Sequence, residues 1–340
     1  MSMRRLLMAE ALFMIASLTF GIGEEDFAQQ YKSLVRPYYK SGDFGYFTGI
    51  GGVKIAYAAY ERPDERGALV ILSGKSGAHV HYAEFIYDVR DWGYSVYVMD
   101  HRGMGFSGRM LEDPQKTHVQ NFANYVKDAK TFVDTVVQRT PHERLFLFAH
   151  SMGAAVAALY LEQFDHDFSA AVFNCPMFGL NTGATPEAAV GFLTSLLRLF
   201  GQGAEYAPGQ GPWQLVNFEE NALTHSQVRY RRWEENDIGE NPEITPGGVT
   251  NSWASQCIRH ARKAWRKAGE IQIPVLILQA DDDAFVTTTG QNRFCKRAPN
   301  CTKVVFPGSR HILFIESDPV RNQMLARVQE FFASHLASIE

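Results

Sequence analysis

Leu145-Phe146-Leu147-Phe148-Ala149-His150-Ser151-Met152-Gly153-Ala154-Ala155 decides the reading of this chain. An apolar run, Arg144–Ala149, enters a turn that holds Ser151, and a stretch rich in small residues, Met152–Phe164, leaves it. The run has the character of a strand and the stretch that of a helix. Small residues at Ala149 and Gly153 let the backbone turn sharply on both sides of the serine. This is the nucleophile-elbow pattern G-x-S-x-G, with Ala149 in place of the first glycine. A short pattern recurs by chance, so the flanking strand and helix carry the reading. They aim the Ser151 hydroxyl at a helix N-terminus, whose positive dipole end favours a developing oxyanion.

Outward from the elbow the chain keeps the same rhythm. Gly45–Thr48 and Val53–Tyr60 read as a hairpin around Gly49, Gly51 and Gly52. Strand-like runs follow at Ala68–Ser73, Tyr94–Asp100, Ala170–Asn174, Pro274–Ala280 and Thr302–Phe306. Helical patterns occupy Tyr82–Trp92, Val119–Arg139 and the stretch from Pro319 to about Ile339. Short, continuous apolar strands suit a sheet covered on both faces, so the expected class is α/β with a mostly parallel, doubly wound sheet. The expected core is 40–176 plus 270–340.

A serine nucleophile needs a base, and the base an orienting acid. In this class of fold they follow in the order Ser, Asp, His. Asp281-Asp282-Asp283 follows the strand ending at Ala280, and His311 follows the strand ending at Phe306. Both loops therefore open on the edge that carries Ser151. Among the 11 histidines, His311 has the strongest claim. One oxyanion donor follows from the elbow itself: the backbone N–H of Met152.

Composition excludes several classes. The 340 residues are 46% hydrophobic and 21% charged, ordinary for a chain that buries a core. With 33 Lys and Arg against 37 Asp and Glu, no global field exists to hold a polyanion, and nucleic acid is not an expected partner. No Cys/His cluster has zinc-ligand spacing, and neither a metal nor an organic cofactor is expected. The four cysteines are too few for a disulfide scaffold. Cys295 and Cys301 flank a turn-forming Pro299-Asn300, however, and such a turn brings a pair within bridging distance. Cys175 and Cys257 read as buried thiols.

The N-terminus is basic at Arg4 and Arg5 and continues into the uncharged run Ala11–Gly23, a pattern like a signal peptide or membrane anchor over 1–23. Export and a Cys295–Cys301 bridge are expected together, because a disulfide persists only in an oxidising compartment. The segment 177–269 interrupts the strand–helix rhythm and reads as a helical cap inserted after the sixth strand. Its helix-start signal Thr185-Pro186-Glu187 leads into a stretch that is apolar on most sides, including Phe192, Leu193, Leu196 and Phe200. Four of the five tryptophans, Trp213, Trp233, Trp253 and Trp265, also fall here. Either the cap needs large residues for a small core of its own, or it covers an acyl-chain pocket and touches lipid. The second alternative makes Phe192, Leu193, Leu196 and Phe200 substrate-binding.

Asp100-His101-Arg102-Gly103-Met104-Gly105-Phe106-Ser107 resembles the D-x-R-G-x-G-x-S stretch of lipase-like α/β-hydrolases. With the elbow, Asp283-Ala284-Phe285-Val286 and His311-Ile312-Leu313-Phe314, the chain resembles the lysophospholipase L2 and monoacylglycerol lipase branch of the serine aminopeptidase S33-like hydrolases, over about Val53 to Phe332. Leu223-Thr224-His225-Ser226-Gln227-Val228-Arg229-Tyr230 looks like the lysophospholipase side. The resemblance implies the α/β-hydrolase fold and an acyl-enzyme mechanism on lipid esters. It selects Asp283 over its two neighbours, because the family's acid stands three residues after a small residue and three before a valine. It also implies that the second oxyanion donor is the N–H of Lys75, in Ser73-Gly74-Lys75, where the family usually has His-Gly and a small residue. The Lys75 side chain then enters the site, facing either solvent or an anionic headgroup phosphate. A bacterial periplasmic or inner-membrane location is implied, with the cytoplasm as alternative. A short-chain carboxylesterase or an acyltransferase is the rival activity, and a non-catalytic binding protein of this fold the rival outside enzymes.

Overall fold

A computed structural model describes residues 21–245 and 247–336. Eight strands form one sheet in the order β1-β2-β4-β3-β5-β6-β7-β8. They are β1 (Asp43–Thr48), β2 (Lys54–Tyr60), β3 (Gly67–Leu72), β4 (Tyr94–Met99), β5 (Leu145–His150), β6 (Phe168–Asn174), β7 (Val275–Ala280) and β8 (Cys301–Phe306). The β1–β2 hairpin is antiparallel and meets β4 antiparallel; every other pairing is parallel. β3, β4, β5 and β7 are buried along their whole length, as continuous apolar runs require.

Helices cover both faces: α1 (Ala83–Val89), α2 (Ala123–Thr135), α3 (Met152–Gln163), α4 (Glu187–Leu197), α5 (Asn251–Lys267), α6 (Thr288–Arg297) and α7 (Asp318–Ser334). One apolar cluster lies under α2 and α3, with Phe122, Phe132, Val156 and Leu159, and a second under α1 and α7, with Phe85, Phe148, Phe314 and Leu325.

The strand order reverses at β3. The chain leaves β3 for β4 on one side and returns to β5 on the other. Loops that leave β3 and β5 therefore separate over a crevice at the carboxyl edge, which is where ligands bind in open α/β sheets. Ser73-Gly74-Lys75 and Ser151 stand on those two loops.

The Asp100–Ser107 stretch turns out to be scaffolding for that edge. Asp100 accepts backbone hydrogen bonds from His79 (2.6 Å) and Phe106 (2.8 Å). Arg102 clamps Asp128 of α2 in a buried two-point pair, 2.6 and 2.7 Å, and donates to the Ile50 carbonyl. Gly105, at φ +52°, is forced to be glycine, since a Cβ there meets the Asp100 carboxylate at 2.2 Å.

The expected cap boundary moves. From Asn251 onward the inserted segment is α5, and its Trp253, Cys257 and Ala264 join the apolar cluster under α3. That helix belongs to the layer covering the sheet, and its apolar face decides the matter. Trp265 packs at the edge of the same cluster, its ring close to the guanidinium groups of Arg266, Arg293 and Arg297.

Cys295, near the end of α6, is bridged to Cys301 at the start of β8, with the Cα atoms 5.1 Å apart. Cys175 and Cys257 are free and buried. Of the expected signal-peptide or anchor segment 1–23, residues 1–20 lie outside the described residues. The remainder is docked: Ile22 is buried with Phe27, Val35 and Ala83, and its carbonyl accepts from Arg229. Glu24 continues the contact, accepting from Ser226 Oγ and from the Asp318 N–H. Ile22 thus packs into an apolar cluster at the boundary of the expected 1–23 segment.

Candidate active site

Ser151 sits between β5 and α3 with φ +51° and ψ −114°, a conformation that costs about 1–3 kcal/mol in a side-chain-bearing residue. The surroundings impose it. The Ser151 N–H donates to the Asn174 carbonyl, and its own carbonyl accepts from Met177 and Ala154. Gly153 lets α3 approach β3: a Cβ there would meet the Leu72 and Ser73 carbonyl oxygens at 2.3 and 2.4 Å. Backbone cannot yield as a flexible side chain does, so the second small residue of the elbow is dictated by sheet–helix contact.

His311 brings the base to the nucleophile. Its Nε2 accepts from the Ser151 hydroxyl at 2.9 Å, and its Nδ1–H donates to Asp283 Oδ2 at 2.6 Å. The Asp283 carboxylate also accepts from the Phe285 and Val286 N–H groups, which orients it. All three reacting groups are nearly removed from water: Ser151 is 8% exposed and His311 5%, and the Asp283 side chain is 2% exposed. Asp281 and Asp282 are exposed. Asp281 accepts from the Gly308 N–H and so ties down the loop carrying His311.

His150 lies beside His311, ring centres 4.9 Å apart and the planes tilted by 50°. Burial, reinforced by the nearby His311, holds its pKa well below the usual imidazole range. It therefore stays neutral and leaves the positive charge of the reaction to His311. Cys175, close to Asp283 and His311, is likewise a neutral thiol because burial raises its pKa.

Lys75 and Met152 stand on the two sides of the crevice, on the loop after β3 and at the first position of α3. Among the described residues, no backbone carbonyl accepts from either N–H. That leaves both free for a developing oxyanion, the arrangement acyl transfer requires.

A cavity of about 670 Å³ opens over Ser151 and His311. Trp213, Tyr230, Trp233 and Trp253 form its apolar wall, with Leu180 and Val286 beneath. The expectation that Phe192, Leu193, Leu196 and Phe200 line it is wrong. α4 packs on α5 through Gly191, where a Cβ would touch Ile258 at 3.1 Å, and through the fully buried Thr194. The opposite face of α4 and the wide turn after it, Arg198–Gln202, point outward, leaving Phe192 72%, Leu199 80% and Phe200 73% exposed, with Leu193 and Leu196 partly so. Apolarity on all sides marked the helix as unusual but could not say which side would meet protein. Three of the four tryptophans in the insert do line the cavity, so their clustering was the better signal.

The serine aminopeptidase S33 family profile matches residues 63–318. The chain belongs to that family. Among S33 relatives, lysophospholipase L2 of Escherichia coli is 31% identical over 307 residues, covering 88% of this chain and 89% of the relative. A probable lysophospholipase L2 of Haemophilus influenzae is 30% identical over 297 residues, 87% and 93% of the two chains. The fold also matches a soluble variant of monoglyceride lipase from Saccharomyces cerevisiae, crystallised with a substrate analog. That match has a TM-score of 0.69 at 19% identity and covers 87% of this chain and 96% of the other. The eight-stranded sheet is accordingly an α/β-hydrolase sheet, with the α/β-hydrolase order of nucleophile, acid and base.

Proposed function

We propose that this S33 hydrolase cleaves the carboxylic ester of single-chain lipids, lysophospholipids or monoacylglycerols, through an acyl-enzyme. The observation that carries the proposal is the continuous chain Asp283–His311–Ser151, closed at 2.6 and 2.9 Å, beneath an aromatic-walled cavity. His311 takes the Ser151 proton as Oγ attacks the ester carbonyl, and the Met152 and Lys75 N–H groups hold the oxyanion. The leaving alcohol receives that proton. His311 then activates a water, and the fatty acid departs.

The outward face of α4 supports a role at a lipid surface. An exposed apolar ridge that includes Phe192, Leu199 and Phe200 is costly in water and gains free energy in the acyl boundary of a membrane. No helix among the described residues is long and apolar enough to span a membrane, so the contact is read as interfacial. Fatty acid release should be assayed on a long-chain lysophospholipid in vesicles and on a soluble short-chain ester. The double variant Phe192→Asp/Leu199→Asp is expected to lose about tenfold or more on vesicles relative to the soluble ester. Equal losses on the two would remove α4 from lipid contact, and no release from either would remove the ester hydrolase reading.

Export is supported by the Cys295–Cys301 bridge and by the apolar run that precedes the docked Ile22. Alkylation of protein taken from its native host is expected to leave Cys295 and Cys301 unmodified until a reductant is added. Two free thiols there would overturn export.

A further inference from the structure

Three charged side chains in the cavity wall play no part in the acyl-transfer chemistry: Lys75, Glu234 and the exposed Glu220. Lys75 sends its ammonium into the cavity, where Nζ donates to the Gly247 carbonyl at 3.1 Å. Glu234 enters from the wide helical turns Arg231–Asp237 and accepts from Trp213 Nε1 at 3.3 Å. The two do not pair directly: among the described residues each is met by a neutral group. Both side chains are half-buried, and a cation and a carboxylate partly withdrawn from water and left apart are costly unless something pairs with both. Burial lowers the Lys75 pKa to about 8, with Glu234 opposing the shift, and raises that of Glu234, with Lys75 and Trp213 opposing. Both shifts mark charges held short of a full counter-ion.

We propose that Lys75 and Glu234 form a headgroup site for a zwitterion, the ammonium taking a phosphodiester and the carboxylate a primary amine. It rests on the lipid-ester reading above and makes it specific to lysophospholipids with an ethanolamine-type headgroup. Covalent spacing favours it. From its backbone nitrogen, the oxyanion donor, to Nζ, Lys75 spans about six bonds. A 1-acyl lysophospholipid places about six bonds between its ester carbonyl carbon and its phosphorus. One residue can therefore hold both the developing oxyanion and the phosphate. Glu234 lines the same cavity, hydrogen-bonded to Trp213. A carboxylate oxygen accepts from a primary ammonium, whereas a quaternary ammonium has no N–H to give.

The test compares kcat/KM on four substrates with one acyl chain: lysophosphatidylethanolamine, lysophosphatidylcholine, lysophosphatidylglycerol and monoacylglycerol. Ratios within one protein preparation cancel any inactive fraction. Lys75→Met, which retains the backbone N–H, is expected to lower the ratio of lysophosphatidylethanolamine to monoacylglycerol by about tenfold to a hundredfold. Lys75→Arg is expected to restore most of it. Glu234→Gln should lower the ratio of lysophosphatidylethanolamine to lysophosphatidylglycerol by about tenfold, since those two share the phosphate and differ in the amine. Ratios unmoved by Lys75→Met and Glu234→Gln, in an enzyme that still cleaves these esters, overturn the headgroup site alone. A wild-type protein that cleaves none of the four overturns the lipid-ester reading and the site with it.

Discussion

Ser151→Ala protein is expected to fold as the wild type does and to release fatty acid on the order of 10⁶-fold more slowly. The substitution removes one oxygen and nothing that packs. Its N–H to the Asn174 carbonyl and the bonds its own carbonyl accepts from Met177 and Ala154 all belong to the backbone. What disappears is the atom His311 deprotonates. The remaining groups act as a unit with it, so a further His311→Ala change is expected to add little. Two measurements check this: fatty acid release, and covalent labelling by a fluorophosphonate that reports the activated serine. Unchanged thermal unfolding with labelling at the wild-type rate would move the nucleophile elsewhere.

Asp283→Asn is expected to cost about 10⁴-fold in kcat. The carboxylate accepts on one oxygen from His311 Nδ1 at 2.6 Å and on the other from two backbone N–H groups at 2.8 and 3.1 Å. An amide in that place satisfies the backbone donors with its oxygen and turns an NH₂ toward the imidazole. His311 must then carry its proton on Nε2, facing the serine, and can no longer act as base. Asp282→Asn, at an exposed position, should stay within a few-fold of wild type. Asp281→Asn falls between, because Asp281 accepts from the Gly308 N–H and steadies the His311 loop. A pH-independent loss for Asp283→Asn that is no larger than for Asp281→Asn would shift the acid within the triplet.

The resemblance that selected Asp283 from three consecutive aspartates finds its physical counterpart in that loop. The carboxylate must receive Phe285 and Val286 N–H groups while reaching His311, and only the third aspartate does both. Asp282 instead uses its backbone N–H to meet the Ser309 carbonyl.

What the sequence determined by itself is local and repetitive. Continuous apolar runs specify strands covered on both faces, and Ser151 and Asp283 stand just after two of them, β5 and β7, while His311 stands on the loop after the half-exposed edge strand β8. A parallel sheet sends all those strand ends to one edge, so the order of motifs along the chain already places the three together. What only the tertiary structure decided depends on packing between distant segments. α4 was apolar nearly all round, and its exposed side was settled by Gly191 and Thr194 meeting α5, some sixty residues further on. Lys75 and Glu234 are separated by more of the chain still, and neither stands in a motif that points to the other. Their meeting in one cavity follows from where the insert folds over the carboxyl edge, and no periodicity in the sequence encodes that distance.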